Sequence, residues 1–255
     1  MPTAVITGGS VGLGRAFATA LAARGYDLVL AARDRASLDR AAAELRVSHG
    51  VTVEVVPTDL AERADVLALA ERVGDRGRPI DLLINNAGFA VHDSLIDADV
   101  EAHARALDVM CLAVLILSRA AAESMRSRRQ GSIVNVSSAS AVITTGNYSA
   151  IKSWVQIYTE SLAIELAGHG VKAMAVMPGW LKTEFHRRGQ VKAHSLPALV
   201  WTPVDRVVRE ALADLDRGKV LCVPTKRWRF AVWLARVVPR RTIRWVSAKL
   251  TRSRS

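Results

Sequence analysis

Residues 3–14 read Thr3-Ala4-Val5-Ile6-Thr7-Gly8-Gly9-Ser10-Val11-Gly12-Leu13-Gly14, a strand-like apolar run that breaks into glycines and then opens a helical pattern. Glycines at such a junction allow a tight turn and let the backbone approach a pyrophosphate, which the unpaired N–H groups of the helix N-terminus hold. Gly8, Ser10, Gly12, Leu13 and Gly14 are the candidate contacts. The spacing G-x-x-x-G-x-G differs from the usual dinucleotide fingerprint G-x-G-x-x-G. A glycine-rich turn alone is therefore weak warrant for a ligand, but the order strand, turn, helix is a warrant for fold.

Moving outward, that order repeats. Apolar runs at 4–7, 27–31, 52–57, 82–85, 132–136, 172–177 and 220–223 alternate with helical periods at 13–24, 35–48, 61–76, 98–128, 149–168 and 204–216. Strands that read as continuous apolar runs are buried on both faces, which means a parallel sheet with helices on each side. The pattern predicts a doubly wound α/β fold. With 255 residues, half of them apolar, the chain suits one large domain. No repeat or linker interrupts residues 1–224, which are assigned to it, leaving 225–255 as a tail.

Two cysteines, Cys111 and Cys222, exclude a disulfide scaffold and point to a reducing compartment, so a cytoplasmic protein is expected. The longest apolar run, Val109 to Leu117, is about half the roughly 20 residues of a membrane span. Met1-Pro2 leads into the first strand with no basic region ahead of it, so no secretion signal is expected. Charge is unevenly spread: residues 1–216 hold 23 Lys+Arg against 24 Asp+Glu, whereas residues 217–255 hold 12 Lys+Arg and no acid. The overall +11 belongs to the tail, which argues against a nucleic-acid-binding body.

The second strand ends in Ala31-Ala32-Arg33-Asp34, where an acidic residue would grip a ribose 2′-hydroxyl. Arg33 stands first in the loop, and a guanidinium there suits a 2′-phosphate, so NADP(H) is preferred over NAD(H). Asp34 is either a helix N-cap or a rival that favours the unphosphorylated cofactor. Further along the same edge, Asp59 can accept from an adenine amino group beside Leu60, while Asn86, Ala87 and Gly88 leave room for a ribose. Loop capping is the bland alternative for both groups.

Tyr148-Ser149-Ala150-Ile151-Lys152 carries the chemistry. At i and i+4 on a helix the phenol and the ammonium share a face, and a nearby Lys⁺ is expected to lower a tyrosine pKa of about 10. Tyr148 then exchanges a proton with a substrate oxygen. Upstream, the strand at 132–136 delivers Ser137-Ser138 to the same edge, where a hydroxyl can hydrogen-bond a developing oxyanion. Downstream, Pro178-Gly179 turns out of the sixth strand, and Thr183 offers a hydroxyl to a nicotinamide carboxamide. Residues 185–203 follow that strand end irregularly, as a lid or as a long surface loop.

Taken together and in this order, the glycine motif 7–14, Asn85 to Gly88, Ser138, Tyr148 with Lys152, and Pro178-Gly179 with Thr183 resemble the short-chain dehydrogenase/reductase family, over roughly residues 3–223. The resemblance implies a seven-stranded Rossmann-type sheet, a nicotinamide cofactor and hydride transfer at a carbonyl or secondary alcohol. It implies Tyr148 as acid/base, Ser138 as the group that orients the substrate oxygen, and Lys152 as the residue that acidifies Tyr148 and binds the nicotinamide ribose. The helices at 98–128 and 149–168 resemble those that pair subunits, which implies a homo-oligomer.

Two features depart from the family pattern. Met110 stands where the family usually has an Asn that holds a water in a proton relay, and a thioether cannot position that water. The relay must run through solvent or a backbone carbonyl, or turnover falls. Ser138 also precedes Tyr148 by only 10 residues, about three fewer than usual, which leaves Ser137 and Ser140 as alternatives for the serine role.

In the tail, Phe230, Trp233, Leu234 and Val237 follow an i, i+3, i+4, i+7 stripe, and Ile243, Val246 and Leu250 lie on one side of a second segment, away from Arg241 and Arg244. An amphipathic helix pair over 226–250 either lies on an anionic membrane surface, making the protein peripheral on the inner face, or packs its stripe on the body or another subunit. The chain therefore reads as an NADP(H)-dependent oxidoreductase for a small apolar ketone, aldehyde or alcohol. Trp180, Phe185, Leu196, Leu199 and Trp201 supply the apolar lining. The alternative is an NADP(H)-binding sensor or scaffold weakened by Met110, with no metal in either case.

Overall fold

A computed structural model describes residues 1–91, 94–97, 99–181 and 200–252, with the side chains of 250–252 left aside. Seven strands form one parallel sheet: β1 Thr3–Thr7, β2 Asp27–Ala32, β3 Val53–Pro57, β4 Leu82–Asn85, β5 Gly131–Val136, β6 Val171–Val176 and β7 Leu221–Cys222. Their order is β3-β2-β1-β4-β5-β6-β7. The chain winds outward from β1 in both directions, so the strand order reverses between β1 and β4. Crossover loops on the two sides part at that point, and their parting opens a crevice at the carboxyl ends of the strands. This is the doubly wound arrangement that the apolar runs predict.

Apolar residues on both faces of the strands hold the helices. On one side Phe17 and Leu21 of α1 (Gly12–Ala22), Leu38 and Leu45 of α2 (Arg35–His49) and Leu212 of α7 (Val204–Asp216) cover the sheet. On the other lie Leu69 of α3 (Arg63–Gly74), Leu117 of α5 (Ala113–Arg128) and Ile151 of α6 (Asn147–Glu165). A buried amide network ties the second layer to the sheet. Asn85 Nδ2 donates to Ser118 Oγ at 3.1 Å and to Asn135 Oδ1 at 2.8 Å, and Asn135 Nδ2 donates to Thr159 Oγ1 at 3.0 Å. These bonds fix α5 and α6 against β4 and β5.

The helical period read over 98–128 is not one regular helix. It divides into α4 (Val100–Leu107), a π turn over Asp108–Leu112 and α5. A π turn inserts an extra residue into a helix without ending it. Here Val109 and Met110 are thereby buried.

The tail forms α8 (Lys226–Val237) and α9 (Arg240–Arg252), and its packing differs from the predicted stripe. In α8 the residues against the body are Trp228 and Val232, one turn apart, which join Ala139, Met177 and Val223. Phe230, Trp233, Leu234 and Val237 stay exposed. In α9 Ile243 and Ser247 are buried, and Ser247 Oγ accepts from Thr144 N at 3.1 Å, whereas Val246 faces solvent. The physical reason is that Trp228 alone of the aromatics in α8 meets a gap in the body, at Gly179.

Close packing at the crevice generates a stability prediction. A Cβ on Gly14 would collide with Gly8 O and Asn86 Nδ2, neither of which can withdraw without breaking the turn. Gly14→Ala should cost about 1–3 kcal/mol. Gly74→Ala, whose nearest neighbours lie 3.9 Å away, should leave stability unchanged or raised. Urea unfolding of both variants checks the contrast.

Candidate active site

The crevice begins with a lock between two loops. Thr7 Oγ1 accepts from Asn86 N at 2.9 Å and Ala87 N at 3.0 Å, and Asn86 Nδ2 donates back to Thr7 O at 2.9 Å. Gly8 N donates to Ala31 O at 2.7 Å, so the glycine turn is fastened to β2 as well. Gly8 and Gly12 take positive φ, +66° and +58°, which accounts for glycine at both. The turn delivers α1 with Val11 as an N-cap that makes no side-chain hydrogen bond and with no acidic residue in the first turn. Free N–H groups and an uncompensated helix dipole fit a diphosphate.

Not every predicted contact faces that space. The side chains of Leu13 and Leu60 are buried in the two apolar cores. Asn86 uses its amide to hold the glycine turn. Asp34 caps α2, accepting from the backbone N–H and hydroxyl of Ser37, and these bonds hold its carboxyl below the usual range. Asp59 is only partly exposed, which pulls its pKa upward, but the Ala61 N–H at 3.0 Å and Arg105 at 2.7 Å prevail and hold it down. Both aspartates thus perform the capping work that was their alternative reading. Arg33 is exposed at the end of β2, close enough to Asp59 to lower its pKa. Ser10, Arg15, Ser37 and Arg40 help line a cavity of about 190 Å³ between the glycine turn and α2.

Ser138, Tyr148 and Lys152 come together on the far side of the crevice. Tyr148 is the second residue of α6, and Lys152, one turn on, places Nζ 5.7 Å from the phenol ring centroid. Ser138 lies two residues past β5 and caps a 3₁₀ turn (Ala139–Val142), accepting from Ser140 N at 3.1 Å, and its side chain is hydrogen-bonded to Tyr148. Ser137 is buried and donates to the Lys152 carbonyl at 2.6 Å. That bond engages the Ser137 hydroxyl away from the crevice, while Ser138 stands beside the phenol.

Electrostatics correct one expectation. Lys152 was expected to acidify Tyr148, yet burial pushes Tyr148 up to about 12, with Ser138 pulling modestly the other way. Burial also lowers Lys152 to about 8, opposed slightly by Cys111. In a dry pocket the cost of charging each group exceeds their mutual attraction. The ammonium is held by Val136 O at 2.9 Å.

Met110 is buried beside the same space. A Cβ on Gly88 would stand 3.1 Å from Met110 Sδ and 3.5 Å from Lys152 Nζ, so the missing side chain at 88 lets thioether and amine share the space. Pro178 gives its carbonyl to Ala139 N at 2.9 Å, and Gly179 lies under the indole of Trp228. Trp228 was not among the predicted site residues; a glycine opposite a tail aromatic was its only trace in the chain. Trp180 and Trp201 meet edge-on at 5.8 Å, and Leu181 bridges Thr202. Thr183, with Phe185, Leu196, Leu199 and residues 185–199 of the predicted lid, lies outside the described residues.

Comparison with known proteins gives the arrangement a context. The family model described as short chain dehydrogenase matches residues 2–192. A short-chain dehydrogenase from Sphingobium yanoikuyae, solved in complex with NADPH, superposes with a TM-score of 0.85 at 34% identity, covering 91% of this chain and 92% of the other. A galactitol 2-dehydrogenase of Rhizobium johnstonii is 35% identical over 80% of this chain and 81% of its own. A very-long-chain 3-oxoacyl-CoA reductase of Anas platyrhynchos is 28% identical over 94% of this chain and 77% of its own.

Burial of Lys152 sets a measurable pH dependence. The folded protein releases this proton near pH 8, whereas an unfolded lysine keeps it to about 10.4. Between those values the unfolded state binds more protons, so stability rises with pH across the window, and below it the penalty is fully present. Relative to Lys152→Met, the wild type should gain up to about 3 kcal/mol from pH 7.5 to 10.5. Urea titrations of both proteins across that range measure the difference.

Proposed function

The chain belongs to the short-chain dehydrogenase/reductase family, an oxidoreductase family of Rossmann-type fold, and from that premise we propose that it is an NADP(H)-dependent carbonyl reductase acting on an apolar ketone or aldehyde, or on the corresponding alcohol in reverse. The observation that carries the reading is the meeting of Ser138, Tyr148 and Lys152 at the crevice edge. When bound, the nicotinamide supplies or accepts the hydride. Residues 1–224 hold the cofactor and the chemistry, and 225–255 are an added helical pair.

Tyr148 and Ser138 divide the work on the substrate oxygen. A phenol held near 12 stays protonated at neutral pH, which suits it to give its proton to a carbonyl oxygen as charge develops there. Ser138, already hydrogen-bonded to Tyr148, is in reach of the same oxygen and supplies a second donor. Lys152, with Nζ tethered to Val136 O, has donors left for a ribose hydroxyl. Met110, buried near Gly88, supplies no donor to hold a relay water, so reprotonation of Tyr148 goes through the open side of the cleft, and turnover is lowered without being lost.

Preference for the phosphorylated cofactor is supported by Arg33, exposed at the end of β2, and by the engagement of Asp34 as a helix cap, which removes the rival acid. Arg40 in the neighbouring cavity adds positive charge for a phosphate. NADPH in the Sphingobium relative is consistent with this. The two curated relatives act on a polyol and on an acyl thioester, so the substrate class rests on this chain's own Trp180, Trp201 and Trp228. Leu107, Leu115, Trp154, Ile157 and Ile164, exposed on α4, α5 and α6, favour a homo-oligomer. Two thiols without a disulfide suit the cytoplasm.

Tyr148→Phe should cut turnover of a hydrophobic ketone panel by about 100-fold or more. NADPH affinity by calorimetry should be retained. Wild-type turnover in that variant overturns the mechanism, and cofactor binding without any turnover in the wild type favours the sensor reading. For the cofactor, the wild type should show a lower KM for NADPH than for NADH, and Arg33→Ala should raise the NADPH value about tenfold or more while leaving NADH little changed. Steady-state kinetics with both cofactors decides it.

A further inference from the structure

The tail is anchored to the body by one face and leaves another uncovered. Trp228 and Val232 of α8, and Ile243 and Ser247 of α9, make the anchoring contacts. Outside those contacts Phe230, Trp233 and Val237 of α8 are 61%, 56% and 58% exposed, and Trp245 of α9 is 59% exposed. Phe230 and Trp233 lean together with ring centroids 5.8 Å apart, and Lys249 Nζ stands 3.9 Å over the Trp245 ring. A fold whose core is already complete has no use for four such side chains in water.

Charge identifies the occupant. From residue 217 to the end there are 12 Lys and Arg and no Asp or Glu. Arg236, Arg240, Arg241, Arg244 and Lys249 are exposed. A second copy meeting this surface about a two-fold axis would bring the same cations against one another, which is unfavourable for a partly apolar contact. Anionic lipid headgroups meet the cations while the acyl boundary receives the aromatics, with arginine stems lying along the apolar side chains. Among the described residues no helix is long and apolar enough to cross a membrane, so the contact lies in the interfacial plane.

We propose that the exposed surface of α8 and α9 docks the protein on an anionic lipid bilayer. Because the opposite face of α8 packs on Gly179 and the 3₁₀ turn that Ser138 caps, docking brings the rim of the crevice to the lipid surface. The contact itself is independent of the reaction catalysed.

The test is co-sedimentation of the full chain with vesicles of phosphatidylcholine alone or mixed with phosphatidylglycerol, beside a Phe230→Ser/Trp233→Ser variant. Both substituted residues are exposed, and thermal unfolding with sedimentation velocity verifies that fold and assembly are kept. The wild type should pellet with the anionic vesicles, weaken as salt rises, and stay in solution with phosphatidylcholine. The variant should bind about tenfold less or weaker still. Wild type that remains in the supernatant with anionic vesicles overturns the proposal, as does a variant that pellets equally. An assembly that dissociates in the variant, without vesicle binding by the wild type, assigns the surface to a second copy instead.

Discussion

A hydroxyl at the end of the first strand holds the molecule's working edge together. Thr7 accepts from two successive N–H groups of the loop after β4, and Asn86 in that loop returns a bond to the Thr7 carbonyl. β1 and β4 are adjacent in the sheet but far apart in the chain, and the crevice exists because their crossovers depart in opposite directions. Without the lock, the glycine turn would have no fixed position over the sheet, and neither α1 nor the loop carrying Ala87 and Gly88 would be placed for a ligand.

Everything beyond that edge shows how burial decides chemistry. Lys152 lies one turn from Tyr148 with its amine on the Val136 carbonyl, and burial moves both groups toward their neutral forms. A spacing argument on a helix assigns the neighbours correctly but not the sign of the shift, since the sign depends on how much water reaches them. The phenol thus stays protonated near neutral pH and is not a tyrosinate.

Much of this was legible in the chain because each strand is a short apolar run that stops at a polar or glycine-rich edge. Seven such runs and the helical periods between them account for the sheet; the serine lies just past the fifth run, and the tyrosine and lysine that meet it stand one turn apart at the start of the next long helix. Illegible parts have a common cause: they depend on contacts between distant segments. Asp59 is held by Arg105 from the fourth helix, and Asn86 is a clamp because Thr7 and Gly8 are its neighbours in space. Helical period over 98–128 does not distinguish the π turn from a regular helix. In the tail, amphipathic spacing located the apolar stripe but could not tell which face the body would take, since Gly179 lies about 50 residues upstream of Trp228.

Gly179 carries no side chain, and the indole of Trp228 occupies the place where one would stand. Neither position can change by itself. A larger residue at 179 requires a smaller one at 228, and a smaller one at 228 leaves a hole at the threshold of the crevice. Related sequences should accordingly substitute the two together, so that the shape of the entrance is inherited as a pair although its halves belong to different ends of the polypeptide.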